Sequence, residues 1–208
     1  MIKTPLLLIG GGGHCRSCID VVEATGEYEI IGIVEADGVV PDNMTPYELA
    51  GFDSDLPSLL QETPHCLITV GQVTSSQVRE KLFMELTAMG AILPSIISPL
   101  AYVSPTAKIG EGSIVMHHAL VNAYAQIGCN VIVNSQSLVE HDVVIANHCH
   151  ISTGSKVNGE VHVGEGCLIG SGAVIKQGVE LTDHVVIGAG STVLGTISET
   201  GTYVGLVK

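Results

Sequence analysis

The sequence predicts an α/β, Rossmann-like N-terminal domain over residues 1–92, followed over residues 93–208 by a parallel β-helix of six-residue repeats. Three observations predict it. Every sixth residue from Ile97 to Val193 is aliphatic, 17 in unbroken succession, and 16 of them are β-branched. A small or β-branched residue recurs four positions later, as at Ser113, Ala119, Val131, Ser137, Cys149 and Cys167. Near the N-terminus, a glycine run joins an apolar stretch to a helical one.

Leu6-Leu7-Leu8-Ile9 reads as a buried strand, Gly10-Gly11-Gly12-Gly13-His14 as the turn after it, and the chain to about Thr25 as a helix. Glu29 to Val34 is a second strand, ending at Glu35 and Asp37. Cys66 to Val70 is a third, ending at Gly71. Thr74 to Met89 reads as a helix with Val78, Leu82, Leu86 and Met89 on one face. Strands alternating with helices imply a small parallel sheet. Bare backbone N–H groups between a strand and a helix suit phosphate. The dinucleotide fingerprint is not met, since Cys15 holds its third glycine position, and a glycine turn needed only for packing is the alternative. Glu35 and Asp37 at a strand end are candidates to accept hydrogen bonds from sugar hydroxyls.

In the second half, a period of six excludes an amphipathic helix and implies short strands separated by turns, coiled as a solenoid. A narrow interior takes one bulky and one small residue per side. Glycine often follows the aliphatic residue, as at Gly110, Gly128, Gly164, Gly170 and Gly188. Residues tolerant of left-handed angles sit three after it, at Gly112, Asn130, Asp142, Gly154, Gly166, Gly172 and Gly190.

Composition narrows the function classes. Hydrophobic residues make up 46% of 208, enough for a real core, but aromatics are 3% and tryptophan is absent, so Val, Ile, Leu and Ala must pack it. A net charge of −13 argues against a nucleic-acid partner. With no apolar leader or bilayer-length apolar run, a cytoplasmic protein without membrane insertion is expected. Its six cysteines are then expected as thiols. Cys15-Arg-Ser-Cys18 has CxxC spacing. No second CxxC follows to complete a metal site, which leaves two small residues packing a helix, or a redox pair.

The glycine–histidine start, the six-residue repeats and Val139-Glu140-His141-Asp142 together resemble one bacterial family across nearly the whole chain. It comprises hexapeptide-repeat sugar acetyltransferases that N-acetylate UDP-linked 4-amino-sugars, with sister enzymes that O-acetylate sialic acid. The resemblance implies a left-handed β-helix, 18 residues per three-sided coil, acetyl-CoA as co-substrate, no metal, a nucleotide-sugar substrate for surface glycan biosynthesis, and a homotrimer. It further implies His141 as general base, supported by Asn134 and Asp142. His150, Gly159, Ser171 and Ala189 are implied at the cofactor site. Gly12, Gly13, His14, Glu35, Ala36 and Gly71 are implied to hold the nucleotide-sugar. Two departures stand out: Glu35-Ala36 where the family often has two acidic residues, and Val204-Gly205-Leu206-Val207 where it commonly has Val-Gly-x-Pro-Ala.

The register makes expectations of its own. Histidines 117, 118, 141, 148, 150, 162 and 184 all miss both interior positions, so each is expected to point outward or to sit at a turn rather than be a core residue. His117 and His162 receive no role. Thr153, Ser171 and Ala189 are 18 apart and stack, forming a groove suited to the pantetheine arm of CoA. His141 falls on a different face of the triangle. A neighbouring subunit is therefore expected to complete each site, most naturally in a three-fold oligomer.

The chemistry expected is attack of a sugar amine on the thioester carbonyl, with a near-neutral imidazole accepting the proton. No serine or cysteine nucleophile is required. O-acetylation of sialic acid by the same machinery is one alternative. A zinc carbonic anhydrase of the same coil type needs a His-x4-His pair, which is absent. A non-catalytic sugar-binding or scaffolding protein is the third.

Overall fold

In the computed structural model, which describes residues 2–39 and 45–208, four parallel strands and three α-helices precede the coil. Strand β1 (Thr4–Ile9) leads into helix α1 (Gly13–Thr25), then β2 (Tyr28–Glu35), β3 (Leu49–Phe52), α2 (Leu56–Glu62), β4 (Cys66–Ile68) and α3 (Gln77–Ala88). The sheet order is β3-β2-β1-β4, all parallel. Leu6 to Ile9 are almost fully buried because helices and the coil cover both faces of β1. Edge strand β3 is an addition to the predicted elements; it reads Leu-Ala-Gly-Phe, too short and glycine-broken to announce itself.

From Ile96 the chain winds into a left-handed parallel β-helix with two-residue strands on three faces of seven, seven and five strands. From Ile96 to Val193 each strand pairs with the strand 18 residues away, as Ile132 with His150 and His150 with Leu168, and the last rung closes at shorter spacing, with Val186 on Thr202 and Thr192 on Leu206. The aliphatic residues from Val115 to Val193 and the small residues between them fill one continuous core. Ile97 departs from expectation. It is 38% exposed, because it lies on the first rung and no coil beneath covers it. The expected turn residues do adopt left-handed angles, Asn130 at φ 53° and Asp142 at φ 58° among them. The glycines that follow the aliphatic residues serve another end. At Gly110 a Cβ would stand 2.5 Å from the Gly128 backbone one coil on, so close stacking excludes a side chain.

The three faces differ in what lies on them. Outward residues of the first face, Ile114 and Ile132, are buried against α1, whose Cys15, Cys18, Ile19 and Val22 pack with them. Both cysteines are fully buried and burial pushes both thiols up, which is the environment of helix packing and not of a reactive thiolate. Outward positions of the second face carry Tyr102, Leu120, Leu138, Lys156 and Val174. Those of the third carry exposed Lys108, Gln126, His162 and Glu180.

Helix α3 corrects the predicted stripe. Val78 and Met89 are exposed at 60% and 45%, whereas Arg79 and Leu86 are buried. The helix is wedged between the sheet and the coil, and its contacts with the coil, made by Arg79 and Phe83, rotate the buried side away from the purely apolar face. Among the described residues, no helix is long and apolar enough to cross a membrane.

Candidate functional site

Three groups of candidate residues emerge from this framework. The first is a crevice of about 270 Å³ at the carboxyl ends of the parallel strands, where open α/β sheets bind ligands. Ile9, Val34, Val70, Val78 and Leu82 give it apolar walls, and Glu35, Ala36, Asp53, Lys81 and Glu85 stand at its edge. Beside it Gly12 caps α1 with no side-chain partner, and Gly12 and Gly13 are exposed, leaving first-turn N–H groups open to an anion. Glu35 is partly committed, since its Oε1 accepts the Gly11 N–H at 3.1 Å. Gly71 packs against the His14 side chain. The predicted Gly12, Gly13, His14, Glu35, Ala36 and Gly71 thus gather around one end of the sheet. Asp53, Val78 and Lys81, which also line the crevice, carry no sequence signal that singles them out.

The second group lies where the first and second faces of the coil meet. Thr153, Ser171 and Ala189 stack there, tied by Gly172 N–H to Thr153 O at 2.9 Å and Gly190 N–H to Ser171 O at 2.8 Å. Among the described residues their own N–H groups have no hydrogen-bond partner, which leaves a column of backbone donors. Asn134 and Ser135 begin the same edge two rungs below Ser171, with Asn134 Oδ1 accepting the Ser135 N–H at 2.7 Å.

His150 belongs beside this edge and points out of the coil interior, as its register predicts. It is an outward strand residue, yet only 7% exposed, because the α/β layer covers it. Its Nδ1 donates to the Gln72 carbonyl at 2.9 Å and its Nε2 accepts from Asn134 Nδ2 at 3.0 Å. Neither nitrogen is left for a cofactor. Burial, with a smaller push from the Arg79 charge, lowers its pKa to about 4 despite the Gln72 bond. Asn134 accordingly meets His150, not His141, within one chain. His14 lies 6.4 Å from the His150 ring, and burial first, then His150 and Arg79, lower its pKa to about 4 as well. His148, expected outward, is also buried. It accepts from Asn130 Nδ2 at 2.9 Å and packs edge-on to Phe83. The register correctly turns both histidines away from the coil interior; what covers them comes from a distant part of the chain.

The third group stands at the corner between the second and third faces. Here His141 is exposed, with Nδ1 donating to Asp142 Oδ2 at 2.9 Å. That bond leaves the Nε2 lone pair free. The Asp142 hydrogen bond raises the His141 pKa above the ordinary value, aided by the charges of Asp142, Glu140 and Glu160. The ring lies against Gly159 one coil on, where a Cβ would stand 2.7 Å from both Cε1 and Nε2. Gly159, assigned in sequence to the cofactor, is therefore also the seat of this imidazole. Since His141 and the Thr153 column occupy opposite edges of the second face, one chain does not bring them together.

His117, given no role by sequence, joins the two halves. Its Nδ1 lies 2.6 Å from Ser98 Oγ and its Nε2 2.9 Å from Asp20 Oδ2 of α1. The trio has the residue types of a hydrolytic triad, but Ser98 is 1% exposed and its Oγ accepts the Leu100 N–H, so it has no access to a substrate. Among the described residues no group of His, Cys, Asp or Glu is arranged to hold a metal ion.

Both halves of the chain are similar to known proteins. Residues 5–86 match the PglD N-terminal domain family, and residues 160–195 match the bacterial transferase hexapeptide (six repeats) family. The acetyltransferase domain of PglB from Neisseria gonorrhoeae is 33% identical over 98% of this chain and 97% of that one, with a TM-score of 0.85. It has also been solved with acetyl coenzyme A. PerB from Caulobacter crescentus, in complex with CoA and GDP-perosamine, is 31% identical over 99% of this chain and 95% of that one, with a TM-score of 0.89. A protein of Acanthamoeba polyphaga mimivirus is 32% identical over 117 residues, which are 54% of this chain but only 21% of that curated relative.

Proposed function

Because the chain belongs to the bacterial hexapeptide-repeat sugar acetyltransferases, we propose that it transfers an acetyl group from acetyl-CoA to the amino group of a UDP-linked 4-amino-sugar. The observation that carries this reading is the state of His141, an exposed imidazole oriented by Asp142 and Gly159 with Nε2 free. The amine attacks the thioester carbonyl, its proton passes to His141 Nε2, and the C–S bond breaks to release CoA thiolate, which then takes that proton. The N–H column at Thr153, Ser171 and Ala189 receives carbonyls of the pantetheine arm. The crevice at Glu35 and Val78 takes the nucleoside, with the diphosphate at the start of α1.

The site is shared between subunits of a homotrimer. The second face supports this: Leu120, Leu138 and Val174 point outward on it, and among the described residues no helix or sheet of the α/β layer packs on them. Packing that face against a neighbour brings its first edge, with Asn134 and the cofactor column, to the neighbour's His141.

A GDP-linked sugar is the second reading, favoured by the ligand of the Caulobacter relative. Acetyl-CoA offered with UDP- and GDP-linked amino-sugars and with free sialic acid tests both. Thiol release with a nucleotide-linked amine, and an acetylated product by mass, is expected. Turnover of sialic acid alone would replace N- by O-acetylation, and no thiol release with any acceptor would remove the acyltransfer reading.

A further inference from the structure

The segment from Val70 to Arg79 ties the α/β layer to the coil at two points. At one, Arg79 is 1% exposed and, among the described residues, has no carboxylate partner; Nη1 donates to Val70 O at 2.9 Å, and Nη2 to Asn130 O and Oδ1 at 2.6 and 2.7 Å. At the other, Gln72 Nε2 donates to Gly166 O at 3.2 Å. Between these anchors the Gln72 carbonyl is held against His150 Nδ1. A proton on Nδ1 leaves Nε2 as an acceptor, and it takes one N–H of Asn134. Ser135 N–H occupies the other end of that carboxamide. The Asn134 amide is thus fixed at both ends, and among the described residues its second N–H has no partner, on the edge shared with Thr153 and Ser171.

We propose that His150 and Gln72 are positioning residues for acetyl transfer: Gln72 fixes the tautomer of His150, and His150 aims the free N–H of Asn134 at the reacting acetyl group. This rests on reading that edge as the acyl site. His150 then binds no cofactor; it acts through Asn134. Only the neutral ring can serve, because a protonated Nε2 has no lone pair for the amide. The charged or titratable groups facing it are His14 from α1 and Arg79 from α3, and both oppose a further positive charge. The coil contributes Cys149 and Cys167 nearby, both buried thiols.

The test uses the full chain with ¹⁵N-labelled imidazoles alongside steady-state kinetics. In the wild type, His150 should carry its proton on Nδ1 and stay neutral from pH 5 to 8. Gln72→Met removes the anchor, and His150 should then titrate within that range; Gln72→Asn, which keeps an amide, serves if the first variant does not fold. His150→Ala should lower kcat about tenfold or more while KM for acetyl-CoA moves less than about twofold, and His150→Gln, which can still accept from Asn134, should recover most of kcat. A KM increase at unchanged kcat would make His150 a cofactor ligand and overturn the proposal, as would ordinary titration of His150 in the wild type. If the wild type transfers no acetyl group, the proposed function fails, while the imidazole signal still decides whether Gln72 sets the tautomer.

Discussion

His141 and His150 sit nine residues apart, half a coil, and meet opposite fates. Both point away from the coil interior. His141 ends on an open corner beside three carboxylates, and its pKa rises. His150 ends under another domain, beside Arg79 and His14, and its pKa falls to about 4. The repeat decides only which way a side chain leaves the backbone. Its protonation is decided by what lies on that side. A base needs the first environment, and a fixed hydrogen-bonding strut needs the second.

The contrast breaks most sharply at His141. Replacing it with alanine should lower kcat by about 10² to 10⁴-fold, the range of a lost general base. Far-UV circular dichroism and the unfolding midpoint should stay unchanged, since the ring is exposed. Near-normal turnover would show that the open imidazole is not the base.

Acid should expose the other half of the comparison. Unfolded, His14 and His150 take up protons near pH 6.5; folded, only near pH 4. Between those values the unfolded chain binds more protons, so stability is full above pH 6.5 and falls as the pH drops to 4. The loss is about 3 kcal/mol for either histidine taken alone. Urea unfolding at several pH values should show it, and a His14→Gln, His150→Gln double variant should have a shallower slope. Equal slopes would mean that these rings do not carry the effect.

The smallest expected effect sharpens the first. Asp142→Asn keeps a residue at home at φ 58° but removes the charge beside His141. The acid limb of the rate profile should move to lower pH, because the His141 pKa falls when that support is lost. A limb that stays in place would assign it to another group.

Much of the molecule was legible in its pattern. The strict period yielded the coil and the left-handed turns at Asn130 and Asp142; with the 18-residue coil that the family resemblance implies, it also separated His141 from the Thr153 column. The glycine run and Glu35 marked the end of the sheet where the crevice lies. What failed to read out was everything that depended on one half meeting the other. The stripe through Val78 and Met89 mispredicted α3 because Arg79 finds its partners on the coil. Gln72 carried no signal, since its part is played largely by its backbone carbonyl.

Local sequence therefore determined that the second half coils and which of its side chains point into the coil. Those follow from backbone sterics and from the size of residue that a narrow core admits, which act between near neighbours or between identical rungs. Only the tertiary structure decided which outward residues remain in water. Burial of His148, His150 and Arg79 arises from docking of a helix onto strands far along the chain, and desolvation depends on everything that surrounds a group.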